Sequence, residues 1–128
     1  MGIVVCVASI RKGKILLVKK RGVWILPGGE PENTESDLKC LVREIKEEFP
    51  GVVLKGCMFY KDVIGKAPHV EGKFFARVYI VGIEGEPQVS LEITDVEWIG
   101  YKNLEKYPFS EITQKVLDFL HKDGYLPN

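Results

Sequence analysis

Apolar and polar positions alternate in recognisable periods along most of the chain. Ile3 to Ser9 is a nearly unbroken apolar, β-branched run, the pattern of a buried strand. Arg11-Lys12-Gly13-Lys14 reads as a turn, and Ile15 to Val18 returns as a second strand of a hairpin. Val23 to Leu26 is a third short strand, running into Pro27-Gly28-Gly29. From Glu35 the period changes to that of a helix. Leu38, Leu41, Val42, Ile45 and Phe49 fall on one side at about 100° per residue. Thr34 and Ser36 are candidate N-caps, Asp37 suits the positive end of the helix dipole, and Pro50-Gly51 stops the helix.

Beyond the helix, Val52 to Tyr60 reads as a strand with Gly56 as a candidate bulge, and Lys61 to Gly72 as a loop positioned to touch a ligand. Lys73 to Ile83 alternates, with Phe75, Arg77 and Tyr79 on one face and Phe74, Ala76, Val78 and Ile80 on the other. Asp95 to Ile99 is a last strand. Ser110 caps a second helix over Glu111 to Lys122, with Ile112, Val116, Leu117, Phe119 and Leu120 as its apolar side. Gly124 ends that helix, leaving Leu126-Pro127-Asn128 as a tail. Strands interleaved with two amphipathic helices predict an α/β fold with a mixed sheet covered on both faces.

Composition narrows the function. The 128 residues suit one domain, 1–128, large enough for a real core. Lys plus Arg and Asp plus Glu are 18 each, so no global field directs the chain to nucleic acid or a membrane surface. No apolar run approaches the roughly 20 residues of a spanning helix, and Ile3 to Ala8 lacks the basic leader and cleavage site of a signal peptide. Cys6, Cys40 and Cys57 are odd in number and form no C-x-x-C pair, which fits a reducing, cytoplasmic setting. Cys40 is read as packing, one turn before Glu44.

Candidate chemistry gathers on the first helix. Glu44, Glu47 and Glu48 share an arc next to the apolar side, where like charges repel by roughly 0.2–0.5 kcal/mol per pair. They form either a solvated face or the oxygen donor set of a hard cation such as Mg²⁺. The preceding glycine turn, which lets backbone approach a ligand, favours the cation.

These residues resemble the Nudix hydrolase signature: a glycine, five residues, Glu, seven residues, then Arg-Glu-aliphatic-x-Glu-Glu-x-Gly-aliphatic. Gly29, Glu35 and Arg43-Glu44-Ile45-Lys46-Glu47-Glu48 stand at that spacing, while the final glycine, Gly51, comes one position late. The resemblance is specific over Trp24 to Val52. It implies an α/β/α sandwich and a pyrophosphohydrolase using Mg²⁺, with Mn²⁺ as a substitute. By the same resemblance, Glu44, Glu47, Glu48 and the Gly29 carbonyl hold metal. Glu44 is a ligand, a base or both, and Arg43 positions a glutamate, with Glu35 as its structural partner. A further acid before the last strand is common in the family, and Glu92 is the candidate here, against a reading as loop surface charge.

Substrate contacts remain open between two readings each. Trp24 is core or stands beside a base, Arg77 sits on an exposed edge or faces an anion, and Lys19-Lys20-Arg21 is solvated surface or binds phosphate. Pro68 lies about sixteen residues after the signature, the mark of an ADP-ribose-cleaving subgroup, whereas the tyrosine of a dinucleoside-polyphosphate subgroup is replaced by His69. The resemblance therefore implies a nucleotide-type small-molecule substrate, with ADP-ribose leading, and allows a homodimer. An oxidised nucleoside triphosphate is the alternative substrate. A non-catalytic nucleotide sensor is the alternative of another class, disfavoured by the intact glutamates.

Overall fold

The computed structural model describes residues 2–68, 71–90 and 92–128; His69 lies outside them. The strands are β1 (Gly2–Ala8), β2 (Ile10–Arg11), β3 (Lys14–Lys20), β4 (Val23–Ile25), β5 (Gly28–Gly29), β6 (Val53–Lys66), β7 (Lys73–Glu84) and β8 (Asp95–Gly100). The helices are α1 (Asp37–Glu48) and α2 (Glu111–Lys122), with a 3-10 segment over Tyr101–Lys106 that the hydrophobic pattern does not signal.

Two four-stranded sheets fill the middle layer. One runs β5-β1-β7-β6, with β1 and β7 parallel and the other pairs antiparallel; in the second, β3 pairs with β2, β4 and β8. They are joined where the Leu16 amide donates to the Ser9 carbonyl at 3.0 Å. The alternation of each central strand then feeds two cores. Cys6, Ala8, Ile15, Leu17, Phe74, Ala76 and Val78 face α2, whereas Val5, Val7, Leu16, Val18 and Val81 face α1. Helices on opposite faces of a mixed layer make the expected α/β/α arrangement. Each fully buried Leu or Val contributes about 1.5–3 kcal/mol of transfer free energy.

Local details depart from the pattern in instructive places. Helix α1 begins at Asp37, and Ser36, not Thr34, caps it, its Oγ accepting from the Lys39 amide at 3.2 Å. Its buried side comprises Cys40, Leu41, Ile45 and Glu48, with Phe49 just beyond, whereas Leu38 and Val42 are about half exposed. The helix is rotated so that the arc carrying Glu48 turns inward, taking the place that a purely apolar stripe would give to Leu38 and Val42. Strand β6 continues through Gly65 to Lys66, so the first half of the predicted loop over Lys61–Gly72 is strand. Gly56 does mark a register shift, and a second falls between Phe59 and Lys61. In α2, Phe119 lies at the rim beneath the Lys61 ammonium, 4.2 Å from its ring centroid. The tail is not loose: the amides of Tyr125 and Leu126 donate to the Leu120 carbonyl, and Leu126 is fully buried.

Candidate active site

The turn between β4 and α1 is pinned from three sides. The Leu26 amide donates to Thr113 Oγ1 at the start of α2 (3.3 Å), the Val7 amide donates to the Pro27 carbonyl (2.8 Å), and Gly28 and Gly29 pair with Cys6 and Val5 of β1. Gly28 has φ +140°, and a Cβ there would lie 2.0 Å from the Val5 carbonyl oxygen. At Gly29 a Cβ would come within 2.2 Å of Glu44 Oε1. Close approach to backbone requires glycine at 28, whereas a side chain at 29 would meet the movable end of Glu44, a signature carboxylate.

Arg43 holds this arrangement. Its Nε and one Nη donate to the two oxygens of Glu35 at 2.8 and 2.9 Å, and its other Nη donates to Glu44 Oε1 at 2.9 Å. A further bond from the guanidinium reaches the Glu30 carbonyl at 3.1 Å. This planar two-pronged contact is one that Arg makes and Lys does not. The hydrogen bonds from Arg43 pull the Glu35 carboxyl down to about 2. Cys40 is fully buried beneath them, its thiol 3.7 Å from the Gly29 carbonyl oxygen, so it packs and also supports the turn.

Glu44, Glu47 and Glu48 line one cleft of about 470 Å³, and Lys20 and Glu92 line it with them. The three glutamates differ sharply in environment. Glu47 is exposed, 3.5 Å from an Arg43 Nη. Glu44 is partly buried, and burial raises its pKa against the pull of Arg43. Glu48 is 7% exposed, and burial pushes its carboxyl up to about 7 despite the ammonium of Lys20 at 3.2 Å from Oε1. The first cause of that rise is desolvation, with crowding by Glu44 a smaller contribution. The acidic arc is not uniformly exposed either, since Glu48 faces inward.

These residues suit a hard divalent cation. Among the described residues, Glu48 Oε2 is a buried oxygen with no hydrogen-bond partner. Gly29 leaves beside Glu44 a space that any Cβ would fill. Among the described residues no three acidic, imidazole or thiol groups converge on one point as the side chains stand, because Arg43 and Lys20 each draw a carboxylate aside. Oxygen ligation by Glu44, Glu47, Glu48 and the Gly29 carbonyl matches the preference of Mg²⁺ and Mn²⁺.

A second pocket, of about 150 Å³, lies beyond the glycine turn and is lined by apolar side chains including Val4, Cys6, Ile25 and Phe74, with Pro68, Ser110 and Thr113 at its edge. Lys20, Arg21, Ile25, Pro68 and Glu92 line the space between it and the acidic cleft. The pattern offered no signal for this pocket, because its walls come from β1, β4, β7 and α2. Two candidate contacts are corrected. Trp24 is 5% exposed, packed edge-on against Tyr107 in the α2-side core, and lines neither the cleft nor the pocket. Arg77 does face an anion, but that anion is Asp37 at 3.0 Å, shared with Tyr79 at the start of α1. Glu92 lines the acidic cleft and Pro68 the space beside it, and of the basic trio Lys20 reaches a signature carboxylate, Glu48, at 3.2 Å.

The NUDIX domain family model matches residues 2–120. The m7GpppN-mRNA hydrolase of Saccharomyces cerevisiae is 32% identical over 99 residues, covering 73% of this chain but only 10% of that protein, so the chain spans about a tenth of its length. An uncharacterised Nudix hydrolase of Bacillus subtilis, YvcI, is 26% identical over 116 residues, covering 85% of this chain and 72% of the relative. Among solved structures, a MutT NUDIX hydrolase from Burkholderia pseudomallei superposes with a TM-score of 0.83 at 26% identity, covering 94% of this chain and 98% of that one. The family match over nearly the whole length, the shared architecture and the signature residues around one cleft converge: the chain belongs to the Nudix family.

Proposed function

We propose that this enzyme cleaves, with Mg²⁺, the diphosphate of a nucleoside diphosphate linked to a second group, with ADP-ribose the leading substrate. The observation that carries the reading is the run of chemistry along the cleft. Carboxylates stand at one end, Lys20 and Arg21 in the middle, and an apolar pocket bounded by Pro68 at the other. A nucleotide has the complementary order: a metal-seeking diphosphate followed by a flat, largely apolar base. Pro68, the residue that marked the ADP-ribose subgroup, borders both the middle of the cleft and the apolar pocket.

Mg²⁺ would be held by Glu44, Glu47, Glu48 and the Gly29 carbonyl, and it supplies charge neutralisation and a more acidic bound water. The rest falls to the chain. Arg43 fixes Glu44 against Gly29, so that its oxygens are placed before substrate arrives. Lys20 and Arg21 balance phosphate charge. Glu92, an exposed carboxylate lining the same cleft, takes a proton from the attacking water in this reading, with Glu44 as the competing base.

The test is a substrate panel with Mg²⁺ and Mn²⁺, products read by chromatography, in ¹⁸O-labelled water to locate the attacked phosphorus. ADP-ribose should yield AMP and ribose 5-phosphate. Faster turnover of 8-oxo-dGTP would replace the leading substrate with an oxidised triphosphate. The yeast relative is named for capped mRNA, so a capped RNA belongs in the panel, and release of its cap nucleotide would make nucleic acid the substrate.

A further inference from the structure

The apolar pocket beyond the glycine turn holds a hydroxyl hydrogen that the fold does not use. Ser110, the cap of α2, and Thr113, three residues on, both line that pocket and are 8% and 2% exposed. Their bonds can be counted. The Thr113 amide donates to Ser110 Oγ at 3.2 Å, the Leu26 amide donates to Thr113 Oγ1 at 3.3 Å, and the two hydroxyl oxygens lie 2.9 Å apart. A hydroxyl brings one hydrogen and two acceptor lone pairs. Two hydroxyls therefore bring two hydrogens, and the bond between them uses one. If Ser110 donates, Thr113 keeps a hydrogen; if Thr113 donates, Ser110 keeps it. Among the described residues neither hydroxyl has a further acceptor. One donor on a buried wall is left for whatever fills the pocket, and a buried donor without a partner is costly.

The rest of the wall limits what the occupant can be. Among the described side chains lining the pocket, only this pair and the exposed Glu30 carry oxygen. Its volume of about 150 Å³ is that of a cavity which holds one six-membered ring. We infer that the Ser110–Thr113 pair reads the substrate's base, donating a hydrogen bond to an unprotonated nitrogen of a six-membered heteroaromatic ring seated in the pocket. In adenine that nitrogen is N1 or N3, because the five-membered ring, joined to the ribose, stays towards the middle of the cleft. The inference rests on the proposed reading of the cleft as a nucleotide site, and it names the residues that select the base.

Binding to the Mg²⁺-loaded protein, measured by calorimetry, tests it without relying on turnover. The probes are AMP, its 1-deaza, 3-deaza and 7-deaza analogues, and ribose 5-phosphate. Each deaza analogue replaces one acceptor nitrogen by C–H and keeps the shape of the base. Either the 1-deaza or the 3-deaza analogue should bind about tenfold more weakly than AMP, the loss of one hydrogen bond, while the 7-deaza analogue binds as AMP does. Ser110→Asp removes the spare donor and keeps the cap. An ionised Asp accepts from the Thr113 amide and hydroxyl and has no hydrogen to give, and the helix N-terminus favours its charge. The ratio of AMP to deaza-analogue affinity should fall to about one in Ser110→Asp and return in Ser110→Asn, which is the same size but carries an amide donor. Both nucleotides bear the same phosphate, so the ratio is blind to the added charge. Equal binding of AMP and all three analogues overturns the inference, as does a loss confined to the 7-deaza analogue. Discrimination that survives Ser110→Asp, or that Ser110→Asn does not restore, overturns it too. AMP that binds no more tightly than ribose 5-phosphate takes the base out of the pocket altogether. Failure to cleave any nucleoside diphosphate derivative, with the AMP discrimination intact, removes the pyrophosphohydrolase reading and leaves the base contact standing.

Discussion

Helix α1 carries two cation–carboxylate assemblies one turn apart, and they are built on opposite principles. Arg43 is engaged from several sides, with two bonds to Glu35, one to Glu44 and one to a backbone carbonyl. Its glutamate partner Glu35 is held well below the ordinary carboxylate range. Around Glu48, one bond to Lys20 leaves an oxygen unsatisfied and the carboxyl well above that range. The first assembly is closed and serves as scaffold. The second is open, and an open buried site is where a ligand completes the structure.

The contrast is broken most severely at its open end. Glu48→Gln should lower metal-dependent turnover by more than about 100-fold, beyond the usual loss for a residue that merely supports a ligand. The fold should survive, since Gln still accepts from Lys20 and removes a buried charge. Wild-type turnover together with unchanged Mn²⁺ affinity in this variant would end the metal assignment.

At the closed end, Arg43→Gln should cost about 2 kcal/mol in urea denaturation, as several charge-assisted bonds are lost, and should also reduce turnover because Glu44 loses its support. Arg43→Lys should rescue little of either, because an ammonium cannot span Glu35 and Glu44. Full rescue would show that charge alone, and not the fork, holds the turn.

A gentler probe is acidity. The folded carboxyl of Glu35 lies at about 2 against an ordinary value of 4.5. The unfolded chain therefore binds the proton first, and the stability Glu35 contributes is fully present above pH 4.5 and is lost as pH falls towards 2. Unfolding midpoints followed across that window should fall more steeply for wild type than for Glu35→Gln; parallel curves would remove Glu35 from the scaffold. The smallest effect belongs to the side of α1 that neither assembly uses. Leu38→Ala should change stability by less than about 0.5 kcal/mol, whereas Leu41→Ala, in the core, should cost about 2–5 kcal/mol by the same denaturation measurement.

Much of this was legible from local pattern. Both helices, their serine caps and the alternation of Lys73–Glu84 follow from spacing between near neighbours, which is why α2 spans the predicted residues. The closed assembly was legible through the family resemblance, which gave Arg43 a glutamate to position and Glu35 as its structural partner. Trp24 and Arg77 were left open, and Leu38 and Val42 were expected on the buried side of the helix but lie half exposed, for a shared reason. An apolar or charged side chain states what it prefers to touch, not which neighbour the fold will supply, and here the neighbours were Tyr107, Asp37 and solvent.

From its order of residues alone, the chain determined the Nudix signature and the elements that present it, since both depend on periodicity and fixed spacing. Only tertiary structure decided that Glu48 turns inward and that Lys20, 28 positions away, meets it. It likewise placed Pro68, Phe74 and Thr113 around one pocket. Those contacts arise from the rotation of α1 against the sheet and from strands paired across long separations. Burial, and with it the charge state and freedom of a carboxylate, is a property of that packing and not of any local run of residues.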